Sequence, residues 1–231
     1  MIRLLASDFD GTIYINEAIS EEDRRAIGDF QEEGHVFGIV TGRPYFSLRP
    51  LIENKLAPDF IIANNGGEIL TRQNKALTKI YRDPMDKDKV RDFISKYHSY
   101  EINIFTDQDR KAGSISDVND GEEIISLAIY IEEKIDFNRK YEFSYHRSKG
   151  VYDITSLEVN KQRGIDLIKE YYSYKDDIIA IGDDFNDISF LKSTPLSFTL
   201  DYVKEEEVLG AVNFKVKNIS NLIERLKRGD F

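Results

Sequence analysis

Residues 2–12 read IRLLASDFDGT, an apolar run of strand length that ends at Asp8 and is followed two positions later by Asp10. Such a run is typical of a buried parallel strand, and in open α/β sheets ligands bind at the carboxyl ends of these strands. Two adjacent unpaired carboxylates repel each other unless a cation lies between them. The stretch therefore predicts a divalent metal site. The alternative is an ordinary strand-to-turn junction, because Asp and Gly are common turn residues.

The composition limits the classes of function. The 231 residues suffice for one large domain, or for a core with a smaller second domain. The net charge is -10 and no block of basic residues is present, so we expect no nucleic-acid partner. The sequence has no cysteine, which excludes disulfides, thiolate metal sites and a cysteine nucleophile and is compatible with a reducing cytoplasm. No apolar run approaches the roughly 18 residues of a membrane span. We therefore expect a cytoplasmic protein without membrane contact.

The first part of the chain has the pattern of a βαβ unit. Residues 20–34 predict a helix because they begin with a capping pattern, and residues 35–40 return to a strand. Thr41, Gly42 and Arg43 follow that strand, and the usual right-handed crossover puts its end beside the end of the first strand. The Thr41 hydroxyl and the close backbone approach that Gly42 allows suit an anion. By itself, TGR is also an ordinary turn before a helix.

A change in the residue pattern along the chain indicates a second, inserted unit. After a predicted strand at 59–63 and a turn at 64–67, the chain combines an amphipathic helix with alternating, tyrosine-rich segments. These segments are typical of antiparallel strands that are covered on one face. We therefore predict an α/β fold, a Rossmann-like doubly wound parallel sheet formed by residues 1–82 and 157–231. A smaller α+β domain at 83–156 is inserted in it.

The parallel pattern resumes with a helix that begins at Lys161 and an apolar strand that ends in GDDFND. Asp183 and Asp187 lie four positions apart across this strand-to-helix turn, and both can face the metal that Asp8 and Asp10 indicate. Carboxylate oxygens with no His or Cys nearby favour magnesium over zinc. Lys161 supplies the point charge that a phosphate needs, although a lone lysine is more often a solvated helix residue.

Four ordered segments resemble the motifs of the haloacid dehalogenase superfamily, and in particular its Cof-type phosphatases with a C2B cap. These segments are DFDGT at 8–12, TGR at 41–43, the lysine in NKQRG at 160–164, and GDDFND at 182–187. The spacing supports this branch, because 33 residues separate the first two motifs, whereas 120 separate the second from the lysine and leave room for the insertion. Asn65 and Gly66 also match the NG turn ahead of the cap. Asp184 departs from the pattern, since the family has a small or uncharged residue there. Whether it faces solvent or alters the metal site is open.

The resemblance implies an enzyme, a magnesium-dependent phosphoric monoester hydrolase that acts on a small phosphorylated metabolite of the sugar phosphate or phosphoglycolate class. It implies that Asp8 is the nucleophile that forms an aspartyl-phosphate, and that Asp10 is first the general acid and then the general base. The residues expected to bind the phosphoryl group or the substrate are Thr41, Gly42, Arg43, Lys161 and Asn186. Those expected to hold Mg2+ are Asp8, Asp183 and Asp187, with Asp10 contributing its backbone carbonyl.

Other functions stay open at this point. A phosphomutase would use the same aspartyl-phosphate, but the mutases of this family carry their cap between the first two motifs. A dehalogenase does not need the acid that Asp10 provides. A binding module that keeps the fold and has lost turnover is a third alternative, because fold alone does not secure function.

The sequence identifies neither the substrate nor the oligomeric state. Anion contacts from the inserted domain are expected among its basic residues, each of which can equally be solvated. The candidates are Lys111, Arg139, His146, Arg147 and Lys149.

Overall fold

The computed structural model of the protein describes residues 2–137 and 141–231. Its helices, in chain order, are α1 Glu21–Glu32, α2 Tyr45–Ile52, α3 Lys87–Lys96, α4 Lys161–Tyr171, α5 Ile188–Leu191, α6 Glu206–Leu209 and α7 Ile219–Arg228. Its strands are β1 Leu4–Ser7, β2 Tyr14–Ile15, β3 Ala18–Ile19, β4 Val36–Val40, β5 Phe60–Ala63, β6 Glu68–Gln73, β7 Ala76–Arg82, β8 Ile102–Thr106, β9 Arg110–Ala112, β10 Ile124–Tyr130, β11 Phe143–Ser148, β12 Val151–Ser156, β13 Ile179–Ile181, β14 Leu196–Leu200 and β15 Phe214–Val216. Of the helices in this described part, none has the length and apolar character needed to cross a membrane.

The larger sheet has the strand order β15-β14-β13-β1-β4-β5-β6-β7. The strands from β15 to β5 pair in parallel, and β6 and β7 are added antiparallel at one edge. This confirms the predicted α/β fold with a parallel-rich central sheet and helices. Because β1 lies between β13 and β4, the carboxyl ends of these three strands are neighbours at one edge of the sheet.

The central strands are buried because their side chains are apolar on both faces, as a parallel sheet between helices requires. Every residue of β1 and of β5 is buried. Helix α1 packs its apolar stripe, which includes Ile27 and Phe30, into the same core. Ser20 caps this helix as predicted, since its hydroxyl oxygen accepts a hydrogen bond from the backbone N–H of Asp23 at 3.0 Å. The core therefore fixes β1 from both sides.

The smaller sheet is antiparallel, with the strand order β11-β12-β10-β8-β9. Its side chains alternate, as the period of two in a strand demands. Leu127 and Ile154 point into a second apolar cluster, where Val90 and Phe93 of α3 are buried with them. The opposite face turns toward the larger sheet, and we call it the roof face. Its cavity-lining members are Phe105, Arg110, Ala128, Tyr130, Ser148, Val151 and Asp153.

The two apolar clusters have no member in common. This agrees with an inserted unit, but the boundaries at 83 and 156 stay a prediction. Helix α2 contains Pro50 and ends two residues later at Ile52.

Candidate active site

Three adjacent strands deliver the predicted motifs to one edge of the larger sheet. Asp8 follows β1, and its backbone N–H donates to the Ile181 carbonyl of β13 at 2.8 Å. Thr41 follows β4, and its N–H donates to the Ile62 carbonyl of β5 at 2.8 Å. Asp183 lies two residues beyond the end of β13. Hydrogen bonds between neighbouring strands therefore fix the backbone of Asp8 and Thr41, the residues that directly follow β1 and β4.

Lys161 reaches the same edge as the first residue of α4. Its side chain is fully buried, and its Nζ lies 2.6 Å from Oδ1 of Asp8 and 2.5 Å from Oδ1 of Asp187. Burial lowers the pKa of Lys161, but the two adjacent carboxylates outweigh this effect and raise the pKa above its ordinary value. The ammonium is therefore a permanent positive charge at the centre of the site.

Asp8, Asp183 and Asp187 form a group that fits a divalent metal ion. Each offers a carboxylate oxygen, and these atoms all lie within 4.8 Å of one another. Lys161 neutralises one of the three charges, which leaves the two that a divalent cation would balance. Burial raises the pKa of Asp8 well above its ordinary value, and repulsion from Asp187 adds to the effect. The same two causes raise the pKa of Asp183 to about 6. Hard oxygen donors of this kind suit Mg2+, Ca2+ or Mn2+.

Hydrogen bonds orient two of these carboxylates. Oδ2 of Asp187 accepts from the backbone N–H groups of Asp183 and Asp184, at 3.0 Å each. Asp183 accepts from the hydroxyl of Thr12 at 2.8 Å and from that of Tyr202 at 2.8 Å. Neither hydroxyl was predicted from the sequence. The DGT turn at 10–12 gives a weak signal for Thr12, and no local signal points to Tyr202.

Asp184 has a structural function that the sequence left open. Its Oδ1 accepts a hydrogen bond from the N–H of Phe185 at 2.8 Å and it caps the turn Phe185–Asp187. Asp184 does not belong to the three-carboxylate group, although it lines the cavity above the group. The extra carboxylate therefore caps a turn without joining the candidate metal ligands.

Gly11 is required by the close approach of Asp183. Its φ is +81°, and a Cβ atom built on it would lie 2.3 Å from Oδ2 of Asp183. Both the backbone conformation and the contact exclude a side chain at this position. The glycine of DFDGT thus lets the first motif pack against the last.

Asp10 points away from the three-carboxylate group and pairs with Arg43. The Nε of Arg43 donates to Oδ2 of Asp10 at 2.6 Å and its Nη2 donates to Oδ1 at 2.6 Å. The guanidinium also lies 5.9 Å from the ring centre of Phe9 and 5.8 Å from that of Tyr14. The hydrogen bond that Arg43 donates to Asp10 is the largest influence on the pKa of Arg43 and raises it. The metal contact expected from the Asp10 backbone carbonyl stays a prediction.

A cavity of about 580 Å3 lies between this edge and the roof face. Asp8, Asp10, Thr41, Gly42, Arg43 and Asn186 all line it. Asn65 connects its two sides, because its Nδ2 donates to Oδ2 of Asp153 at 2.9 Å and its Oδ1 accepts from Nδ2 of Asn186 at 3.1 Å. The structure thus brings the predicted phosphoryl-binding residues together, and it adds Asp153 from β12. The signal for Asp153 was the acidic residue in the alternating segment VYDIT, on the face opposite Tyr152 and Ile154.

The basic residues proposed as anion contacts lie elsewhere in the described chain, apart from Arg139, which falls outside the described residues. Lys111 pairs with Asp109 and Glu122 beside it in the smaller sheet. The His146 Nε2 is 2.8 Å from the Thr155 hydroxyl, and burial lowers its pKa to about 3. The other two contact residues outside the smaller sheet. Arg147 lies over the ring of Phe185 at 4.4 Å, and Lys149 pairs with Glu205 at 2.8 Å. None of these four lines the cavity, whereas Arg110 does.

A family model described as haloacid dehalogenase-like hydrolase matches residues 5–117 and 94–218 of the chain. The chain belongs to the haloacid dehalogenase-like hydrolases. The resemblance found in the sequence is therefore confirmed, and so is the prediction of an enzyme. As a haloacid dehalogenase-like hydrolase, the protein is expected to use a divalent metal ion, and the group of Asp8, Asp183 and Asp187 is one that could bind it.

Curated relatives and solved structures agree with this family. The 5-amino-6-(5-phospho-D-ribitylamino)uracil phosphatase YcsE of Bacillus subtilis is 25% identical over 221 residues, which cover 88% of this chain and 87% of that protein. A sugar phosphatase of subclass IIB of the superfamily covers 99% of each chain with a TM-score of 0.79 and 17% identity. A phosphatase from Bacteroides thetaiotaomicron aligns over 99% of this chain and 95% of its own, with a TM-score of 0.82 and 20% identity. These two structures show the shared fold of the haloacid dehalogenase-like hydrolases.

Proposed function

We propose that the protein is a magnesium-dependent phosphatase that hydrolyses a small phosphomonoester through an aspartyl-phosphate on Asp8. The observation that supports this most is the buried Lys161 between Asp8 and Asp187, beside a cavity large enough for a small metabolite. A solvated lysine, the alternative reading of the sequence, would not be fully buried.

Asp8 is suited to act as the nucleophile. Lys161 holds its Oδ1 at 2.6 Å, while Oδ2 has no hydrogen-bond donor among the described residues. In the first step, a bond forms between Oδ2 and phosphorus as the bond from phosphorus to the leaving oxygen breaks, and Asp10 gives its proton to that oxygen. In the second step, water attacks phosphorus, Asp10 takes the proton of the water, and the bond to Asp8 breaks. The products are an alcohol and inorganic phosphate.

We propose that four residues hold the phosphoryl oxygens. The hydroxyl oxygen of Thr41 accepts from the N–H of Arg43 at 3.1 Å, so its own proton is free to be donated to a phosphoryl oxygen. Gly42 offers a backbone N–H, and Asn186 has a second amide proton besides the one that it donates to Asn65. Lys161 supplies a positive charge that attracts the phosphoryl oxygens. Fixed donors of this kind stabilise the charge that develops in phosphoryl transfer.

We propose Mg2+ as the metal ion, held by Asp8, Asp183 and Asp187 and by the backbone carbonyl of Asp10. When bound, it would offset the negative charge of the phosphoryl oxygens. The carboxylate oxygens of Asp8 carry enough lone pairs to accept from Lys161 and to bind a metal while Oδ2 attacks.

The pairing of Arg43 with Asp10 affects the proton transfer. Both Asp10 oxygens accept hydrogen bonds from Arg43, so both are occupied before a substrate binds. A phosphoryl dianion that enters the cavity competes for the guanidinium, because Arg binds carboxylate and phosphate with the same bidentate geometry. We infer that Arg43 turns toward the substrate and leaves Asp10 an oxygen that can carry the proton.

The leaving group is proposed to be that of a sugar phosphate or a related polyol phosphate, with phosphoglycolate as the smaller alternative. The relative YcsE is named for a phosphate ester that joins a polyol to a uracil ring. Phe46 and Phe105 line the cavity with ring centres 6.4 Å apart, and Arg110 lines it as well. An ester with a planar ring is therefore a second candidate, because aromatic side chains and Arg both contact flat rings favourably. A phosphomutase and a binding module remain alternatives to the phosphatase.

Release of inorganic phosphate from p-nitrophenyl phosphate tests the proposed function. We expect turnover with magnesium, loss of turnover with a chelator, and recovery when magnesium is added back. Magnesium should also raise Tm, because a ligand that binds only the folded state at about 100 times its Kd stabilises it by about 2.7 kcal/mol. The Asp109→Asn variant, which removes a carboxylate far from the three-carboxylate group, should respond as the wild type does. Full turnover in excess chelator, with no change of Tm on adding magnesium, would contradict the proposal.

Calcium is expected to inhibit in competition with magnesium. Magnesium requires near-octahedral geometry and would leave one oxygen of Asp8 free, whereas calcium readily takes a carboxylate through both oxygens and would leave no nucleophile. The measurement is a calcium titration of the magnesium-activated reaction at several magnesium concentrations. Full activity with calcium as the sole divalent ion would show that Asp8 is not both ligand and nucleophile.

A further inference from the structure

The roof face carries a carboxylate at the position nearest the phosphoryl-binding loop. The pairing of β12 with β10 sets Asp153 opposite Ala128, and its pairing with β11 sets Asp153 opposite His146. Among the strand residues that share this face in the described part of the smaller sheet, Asp153 is the acidic one. Its neighbours on the face are small, aromatic or neutral side chains. The carboxylate is therefore a distinct chemical feature of an otherwise mostly uncharged roof.

Asp153 lies directly above the loop that follows β4. A Cβ atom built on Gly42 would lie 2.7 Å from Oδ2 of Asp153 and 3.1 Å from Nδ2 of Asn65. The amide of Asn65 donates to the same Oδ2 at 2.9 Å and is itself tied to Asn186. These contacts hold the carboxylate over Thr41 and Gly42. A phosphoryl group bound there would place the first atoms of its leaving group next to Asp153.

No ion pair neutralises the charge of Asp153 among the described residues, although Lys161 attracts it from farther away. Among residues 2–137 and 141–231, no Lys or Arg forms an ion pair with it, and Asn65 is its hydrogen-bond donor. Burial raises the pKa of Asp153 to about 6, so the carboxylate form still prevails in neutral solution. Asp10 and Asp184 also line the cavity and add negative charge. An uncompensated carboxylate of this kind attracts hydrogen-bond donors and repels anions.

We propose that Asp153 determines specificity, by accepting a hydrogen bond from a hydroxyl group of the leaving group close to the ester oxygen and by repelling a carboxylate at that place. This rests on the proposed function, and it narrows the substrates to esters of neutral polyols or sugars. Phosphorylated carboxylic acids such as phosphoglycolate are excluded, because their carboxylate lies only a few bonds from the ester oxygen.

Arg110 does not offset this repulsion for a small substrate. It lies on β9, and the strand order places β10 and β8 between β9 and β12. Three strand spacings of about 4.8 Å separate Arg110 from Asp153 by about 14 Å. A carboxylate close to the ester oxygen therefore meets Asp153, and only a leaving group that extends across the cavity reaches Arg110.

The test compares glycerol 3-phosphate with 3-phosphoglycerate, both as racemates. These esters share a three-carbon chain and a C2 hydroxyl, and they differ only in a hydroxymethyl group against a carboxylate at C1. For the wild type we expect kcat/KM to favour glycerol 3-phosphate at least tenfold. In Asp153→Asn this ratio should fall at least tenfold, mainly through a lower KM for 3-phosphoglycerate. The new amide oxygen can still accept from Asn65, so the contact between the two sheets is kept while the charge is removed.

The matched control is Asp109→Asn, which removes a carboxylate from the smaller sheet outside the cavity and should keep the wild-type ratio. An equal change in the ratio for this variant would mean that net charge, not position, is responsible. A wild type that prefers 3-phosphoglycerate, or an unchanged ratio in folded Asp153→Asn, would overturn the proposal. If Asp153 merely joined the two sheets through Asn65, its replacement would change kcat/KM for both esters equally.

Two measurements separate this proposal from the phosphatase activity itself. Competition of each ester against p-nitrophenyl phosphate gives the affinity ratio even where either ester turns over slowly. If no ester releases phosphate, the proposed function fails, and calorimetric titration of the magnesium-loaded protein with the two esters still measures the preference. The same titration of the wild type decides the matter if Asp153→Asn does not fold, because equal affinities, or tighter binding of 3-phosphoglycerate, would overturn the proposal.

Discussion

Replacement of Asp8 by asparagine is expected to lower kcat for phosphate release by more than about a thousandfold, because the variant has no carboxylate with which to form the covalent intermediate. The amide has nearly the same shape and can still accept a hydrogen bond from Lys161, so the fold should be kept. Removal of one buried negative charge should also leave phosphate affinity intact. The measurement is steady-state release of phosphate together with phosphate binding by calorimetry.

The matched control for this variant is Asp184→Asn. Asp184 lines the same cavity but serves as a cap, and Asn caps as well as Asp does. We expect this control to retain most of the wild-type kcat. Slow deamidation would restore the nucleophile, so the mass of the Asp8→Asn protein must be verified. A verified preparation that retains a tenth of the wild-type kcat would rule out Asp8 as the nucleophile.

Replacement of Asp10 by asparagine is expected to lower kcat by about 10²–10⁴-fold, the range usual for a general acid or base. The loss should be large for an alkyl phosphate and smaller for p-nitrophenyl phosphate, because nitrophenolate leaves without needing a proton. The experiment compares the two substrates in wild type and variant under saturating magnesium. Equal losses for both substrates would argue against the acid role and for a purely positioning function through Arg43.

The sequence predicts the larger sheet well, and also the candidate site residues at the carboxyl ends of its strands, because both depend on local patterns. Apolar runs that end in Asp8, Thr41 and Asp183 have the length of strands, and the right-handed crossover rule places their ends side by side. The position of Lys161 at the start of a helix follows from its capping residue Asn160. Each of these inferences uses neighbours within a few residues, so no knowledge of distant packing is needed.

The contacts that the sequence does not show depend on how distant segments meet. Tyr202 reaches Asp183 and the carbonyl of Gly11 only because β14 ends beside β13 at the same edge. Asn65 meets Asp153 across 88 positions of sequence. For the same reason, local sequence indicated charge at Lys149 but could not indicate that its partner is Glu205. Pairings of this kind arise from the docking of two sheets, which no local period encodes.

The alternation along β10 and β12 has a consequence for how this enzyme can diversify. Positions such as Ala128, Val151 and Asp153 face the cavity in which we propose that substrate binds, while residues between them, such as Leu127, Ile129, Tyr152 and Ile154, pack in the second apolar cluster. A mutation at a cavity-facing position therefore changes what the enzyme accepts without removing a buried side chain from the apolar cluster. The residues proposed to break the ester bond come from other segments of the chain, so such a mutation does not replace them. We therefore expect single substitutions at these three positions to change the substrate preference, provided that a replacement for Asp153 keeps an acceptor for Asn65.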